Sequence, residues 1–130
     1  MGFDQYHEPP EELPAATRTF ARLCASLTEE AEAIGWYAQR LALEPDPEAH
    51  AVMTNAMTEE YKHFSMDLEF LLRRTPAWRE IAEGILFQTG DIVERGEAAE
   101  EEVFEGEDEE SPEPDFSGSS LGIGSLRGRS

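Results

Sequence analysis

Three side chains able to bind a cation or move a proton stand where apolar side chains are expected. One apolar stripe runs through Phe20, Leu23, Leu27, Ile34 and Leu41, with Tyr37 and Ala38 in the intermediate slot. Between Leu27 and Ile34 its inward slot falls on Glu30 or Ala31. A second stripe runs through Met53, Ala56, Met57, Phe64, Leu68 and Leu71, and its slots between Met57 and Phe64 fall on Glu60 and His63. Both stripes have the period of a packed helix. Glu60 and His63 are i and i+3, so they share a helix face. A lone ionised carboxylate in an apolar seam is costly, and it neutralises or finds a partner. Two copies of the chain would bring four such carboxylates together, and a pair of divalent cations removes the repulsion. One Glu on one helix and Glu-x-x-His on the next form half of a carboxylate-bridged di-iron centre, which a second copy completes. Oxygen and imidazole donors suit iron, manganese or zinc. Cys24 is the sole cysteine, so no thiolate set competes.

The neighbouring residues leave more than one reading open. Asp67 lies one turn beyond His63 and either orients the second ring nitrogen of that histidine or is a surface acid. Glu29 and Glu32 flank Glu30 and form either an outer cation-attracting site or a solvated acidic face. Trp36 and Tyr37 serve as core or interface aromatics or as groups beside the centre. His7 and His50 have no partners at ligand spacing. A reading from another class stands beside the catalytic one: a non-catalytic metal-binding helical scaffold or cargo protein, in which Zn²⁺ or Ca²⁺ only holds helices together.

The elements that must position these groups are helices. From about Thr17 to Leu43 there is no proline and one glycine, Gly35. Such a helix spans about 40 Å. Pro45-Asp46-Pro47 ends it, and Asp46 is a suitable N-cap for a second helix running from about Pro47 to Arg74. Thr75 is expected to cap a third, shorter helix that starts at Pro76, carries Trp78, Ile81, Ile85, Leu86 and Phe87, and ends near Gly90. The expected fold class is therefore all-α: an antiparallel two-helix hairpin plus a shorter C-terminal helix, dimerising into a four-helix bundle.

Charge divides the 130-residue chain, whose formal net charge is −19. Residues 94–115 hold 12 acidic residues against Arg95, and 116–130 carry only Arg127 and Arg129. The expected organisation is a helical half-bundle over 1–93, an acidic disordered linker over 94–116 and a separate peptide over 117–130. The acidic stretch reads as a spacer or as a solubilising tail. No basic stripe exists to release phosphate counterions, which excludes nucleic acid as a natural partner. The charge also opposes docking on anionic lipid, and no apolar run is long enough to span a bilayer. The acidic N-terminus lacks a signal core and one cysteine fits a reducing compartment, so a cytoplasmic location is expected.

At Glu29-Glu30-Ala31-Glu32-Ala33-Ile34-Gly35-Trp36-Tyr37-Ala38-Gln39-Arg40, then Glu59-Glu60-Tyr61-Lys62-His63 and Met66-Asp67-Leu68-Glu69, the sequence resembles the encapsulated ferritins. The likeness covers roughly residues 8–90. It implies a ferritin-like bundle and a ferroxidase that oxidises Fe(II) with O₂ at a di-iron centre shared by two subunits. It also implies a ring-shaped decamer of five dimers inside an encapsulin shell, with iron stored in that nanocompartment. By position the metal ligands fall on Glu30, Glu60 and His63. The outer metal-attracting site falls on Glu29 and Glu32 with Trp36 beside it, and Tyr37 matches a tyrosine near the centre. Family members often carry Asp before the tryptophan and Glu before the histidine; here Gly35 and Lys62 stand there. The C-terminal Ser120-Leu121-Gly122-Ile123-Gly124-Ser125-Leu126-Arg127-Gly128-Arg129 looks like an encapsulin cargo-loading peptide. Leu121, Ile123 and Leu126 would be its apolar anchors on a Gly/Ser-rich chain; the other reading of this segment is a cloning scar.

Overall fold

The computed structural model describes residues 5–105, which form a 3-10 turn at Pro10–Glu12 and four α-helices: α1 (Ala15–Leu43), α2 (Pro47–Arg73), α3 (Pro76–Ile85) and α4 (Ile92–Glu105). No strand occurs among the described residues, and none of their helices is long and apolar enough to cross a membrane. The all-α class is thus observed, with one helix more than the sequence reading anticipated. The chain divides into two compact units, with the boundary between Leu71 and Leu72.

In the first unit, α1 is a 29-residue amphipathic helix without a single buried residue. Arg18 ties the turn before it to its first residues, donating from Nη1 to the carbonyls of Pro10 (3.0 Å) and Leu13 (2.9 Å). The Glu44-Pro45-Asp46 connection is built as its residue types dictate. Asp46 Oδ1 accepts from the Ala49 amide at 2.9 Å, and the Asp46 carbonyl accepts from His50 N–H at 2.9 Å. This is an N-cap that starts α2 at Pro47, where a missing N–H costs nothing. The short connection makes α2 return antiparallel along α1. Glu30 lies thirteen residues before the end of α1, and Glu60 thirteen after the start of α2. At 1.5 Å per residue both sit about 20 Å from the turn, so the register brings them to one level.

The second unit departs from the sequence reading in three ways. The third helix ends at Ile85 rather than near Gly90. The chain there turns through Phe87 (φ 60°) and Gly90 (φ 97°), left-handed backbone that a helix does not use. Thr75 does precede the helix, but its hydroxyl makes no capping bond; only its carbonyl serves, accepting from Arg79 N–H at 2.9 Å. The largest correction concerns residues 94–105, expected to begin a disordered acidic linker. They are helical, and the expected domain edge at 93 falls inside α4. Asp91 caps this helix, its Oδ1 accepting from Glu94 N–H at 2.9 Å and its carbonyl from Arg95 N–H at 3.0 Å. Glu and Ala are good helix formers. Ala99 and Val103, i and i+4, are buried on the side that α4 packs on α3, while the acidic residues stay in water. The remainder of the expected linker, 106–116, and the peptide over 117–130 with Leu121, Ile123 and Leu126 lie outside the described residues.

The α3–α4 contact depends on two small residues. A Cβ added at Gly84 would stand 2.7 Å from the Cβ of Ala99, which is fixed to the α4 backbone and has no far end to swing away. Alanine in a helix is ordinarily favoured over glycine by roughly 0.5–1 kcal/mol. Here overpacking, at about 1–3 kcal/mol, outweighs that gain. Gly84→Ala is therefore expected to lower the stability of the second unit in urea denaturation, and an unchanged or raised midpoint would show that the helices separate freely.

Candidate metal centre

Glu60, His63 and Asp67 occupy i, i+3 and i+7 of α2, so they form one stripe on that helix. His63 Nδ1 lies 2.8 Å from Glu60 Oε1. Glu30 comes from α1 and meets this stripe at Asp67, to which its carboxyl donates a hydrogen bond. Glu30 Oε2 and Asp67 Oδ2 are both shut off from solvent and have no hydrogen-bond partner. The structure brings Glu30, Glu60 and His63 to one locality, with Asp67 beside Glu30. The sequence leaves Asp67 either a partner of His63 or a surface acid; in the structure its hydrogen bond is with Glu30 across the two helices.

Electrostatics follow from this placement. The Glu30 carboxyl is pushed up to about 7, first by burial, then by its hydrogen bond to Asp67, and then by the negative charges of Asp67 and Glu60; His63 pulls the other way. Near neutral pH, Glu30 therefore holds a proton for part of the time, and that proton is what makes the carboxyl pair tolerable. Glu59, outside this stripe, is held below its ordinary value by Lys62, whose Nζ lies 2.9 Å away. Lys62 spends its charge on that exposed pair, which contributes little to stability. Burial pushes the Cys24 thiol up, away from a thiolate that could bind metal.

The other candidates stand apart. Glu29, Glu32 and Trp36 form an exposed stripe of α1, rotated away from the face that carries Glu30. Tyr37, seven residues beyond Glu30 and on its face, is half-buried, with the Arg40 guanidinium 5.3 Å from its ring centroid. That cation over the ring is a contact the sequence reading did not anticipate, although the i, i+3 spacing allows it. Among the described residues of one chain, no group of three or more His, Cys, Asp or Glu is placed to hold a metal ion.

The chemistry of the donors fits a hard or borderline divalent cation. Carboxylate oxygens and one imidazole are the available groups, and the two orphaned oxygens on Glu30 and Asp67 are acceptors that a cation would satisfy. A single chain offers one acid from α1 and two acids and an imidazole from α2.

Comparison with known proteins places the chain in a family. The family model described as EncFtn-like matches residues 5–89, a span that contains every residue of the stripe and of its α1 partner. A protein of Thermotoga maritima described as "Ferritin-like protein" is 41% identical over 91 residues, 70% of this chain and 80% of that one. One of Rhodospirillum rubrum, described as "Encapsulated ferritin-like protein", is 38% identical over 124 residues, 94% of this chain and 87% of that one. The crystal structure of protein ne0167 from Nitrosomonas europaea superposes with a TM-score of 0.66 at 37% identity, covering 68% of this chain and 98% of that one.

The raised Glu30 value gives a pH prediction for the metal-free chain. In the folded state Glu30 holds its proton up to about pH 7, and in the unfolded state only up to the ordinary glutamate range near 4.5. The folded chain therefore binds more protons between these values, and this group's contribution is full below the lower value and lost as pH rises through about 7. Thermal unfolding with chelator present should show a higher Tm at pH 5.5 than at pH 8, and Glu30→Gln should shrink that difference. An identical pH slope in the variant would place the proton elsewhere.

Proposed function

The chain belongs to the EncFtn-like family, and from that premise we propose that it is a ferroxidase, oxidising Fe(II) to Fe(III) with dioxygen at a centre built from two subunits. Family and relatives support a ferritin-like, iron-related role. The single observation that carries the finer reading is the convergence of Glu30 from α1 on the Glu60–His63–Asp67 stripe of α2, with an oxygen of Glu30 buried and unpartnered.

In this reading Glu60 and His63 of each chain would hold one ferrous substrate ion, and the Glu30 carboxylates of the two chains would add the remaining negative charge. The reaction removes one electron from each ferrous ion and passes it to dioxygen. Four carboxylate charges from two chains balance two Fe²⁺, so the burial that is costly for one chain becomes favourable for the loaded pair. Glu30 must give up its proton when it takes up iron, which ties loading to pH near 7.

The second copy also answers a packing problem. An amphipathic helix of 29 residues with none buried has an unfilled apolar face, and Val52, Tyr61 and Met66 of α2 are exposed as well. Pairing two hairpins into a four-helix bundle covers such faces. Beyond the dimer, the ring-shaped decamer of five dimers, with the outer acids Glu29 and Glu32 and the Trp36 beside them, is part of the same proposal. So is housing in an encapsulin shell in the cytoplasm. The described name of the Rhodospirillum rubrum relative supports that last step. Residues 106–116 would tether the folded part to a docking peptide whose anchors are Leu121, Ile123 and Leu126.

Two experiments test this. Aerobic addition of Fe²⁺ to the purified protein, followed by ferric absorbance, should show rapid oxidation. Glu60→Ala or His63→Ala should remove it by more than the roughly 10–100-fold that outer-shell losses cost. Binding without accelerated oxidation would instead identify a non-catalytic metal scaffold. Separately, a chain truncated at Phe116 should oxidise Fe²⁺ as the full chain does and no longer co-purify with a co-expressed shell protein. Retained co-purification would refute the docking role of the C-terminal segment.

A further inference from the structure

The α2 face that carries Glu60 and His63 also carries Asp67, whose presence the ferroxidase reading does not require. Its position belongs to the seam between α1 and α2, next to Leu68 and four residues before Leu71, which is fully buried. An apolar side chain there would stabilise the hairpin. The chain instead sets a carboxyl against another carboxyl, that of Glu30. Each of the two residues has one oxygen closed off from solvent and without a partner. Asp67 is no helix cap, since it lies well inside Pro47–Arg73, and Lys62, the cation of that stretch, is paired with Glu59. Two acids held together without a cation are unfavourable in the empty protein. Such an arrangement is retained where it places a group that something else will use.

We infer that Asp67 is a positioning residue of the centre, holding the Glu30 carboxyl at the α2 face so that the acid from α1 is already set beside Glu60 and His63 when a divalent cation arrives. The inference rests on the metal-centre reading above and adds to it the residue that organises the α1 ligand. A free glutamate on a half-buried helix face samples several rotamers, and fixing it beforehand removes that ordering cost from the binding step. Asp67 does this from the same helix that carries Glu60 and His63, so one rigid element sets all three groups relative to one another. Because the contact needs only a hydrogen bond to Glu30, an amide at position 67 can replace the carboxyl: its NH₂ donates to an ionised Glu30, as an alanine cannot.

The test uses the full chain and Co²⁺ alone, titrated under chelator-free conditions and followed by the visible absorption of the bound ion. Asp67→Ala is expected to weaken Co²⁺ binding by roughly 10–100-fold, and Asp67→Asn to restore it to within a few-fold of the parent. Circular dichroism should show unchanged helix content in both, because alanine is the better helix former. Glu60→Ala serves as the reference for loss of the centre itself. If Asp67→Ala binds Co²⁺ as tightly as the parent, or more tightly, while Glu60→Ala loses it, this inference fails and the metal-centre reading stands. If Asp67→Asn is as weak as Asp67→Ala, the negative charge is what matters, and Asp67 is a donor to the ion rather than a positioning residue. A parent chain that takes up no Co²⁺ overturns both readings together.

Discussion

Like-charged carboxyl groups held against one another in an apolar seam are the constraint on which the candidate site depends. Glu30 faces Asp67 across α1 and α2, with Glu60 close enough to add to the repulsion. The metal-free chain relieves this in the one way open to it, by keeping a proton on Glu30. His63, bound to Glu60 at 2.8 Å, supplies a partial counterweight. Glu30 and Asp67 each keep a buried oxygen without a hydrogen-bond partner. The exposed ion pair, Lys62 with Glu59, could be lost with little consequence.

That cost explains why the hairpin is built as it is. The tight Asp46 cap and the short connection set the register of α2 on α1, and a register error of one residue would rotate Glu30 by about 100° away from its partners. Long helices on either side of the site hold Glu30, Glu60, His63 and Asp67 without using a loop, which suits a site whose groups must not drift. The apolar face left on α1 is the other consequence. In the proposed dimer a second copy would complete the site for the acids' counter-charge and supply the cover for this face.

How much of this could be read from residue types varied with the kind of signal. The helices α1 and α2, their ends at Leu43 and Pro47, and the Asp46 cap follow from period and punctuation, which are local properties. The grouping of Glu30 with Glu60 and His63 was also legible, because interruptions in two apolar stripes at matched distances from one turn can only meet. Asp67 was harder. Its i+7 spacing from Glu60 marks the stripe, but whether it turns to His63 on its own helix or to Glu30 on the other is decided by packing. Residues 94–105 are not legible from composition, because average charge masks a pattern. Asp91 begins a helix, and Ala99 and Val103 give it a narrow buried seam among many glutamates. Composition alone treats that segment as solvated chain.

What the sequence determined by itself was the set of possible chemistries. It confined the candidate donors to carboxylates and imidazole, put them on two stripes, and implied the family that comparison then showed. What the tertiary structure decided was the pairing within that set. Glu30 is held by Asp67, Tyr37 lies under Arg40, Lys62 is engaged by Glu59, and α4 packs on α3 through Gly84 and Ala99. The physical reason is that residue type and helical period fix which face a side chain leaves from. Which neighbour it reaches depends on rotamers and on the separation of two surfaces, and those are set only once both are packed.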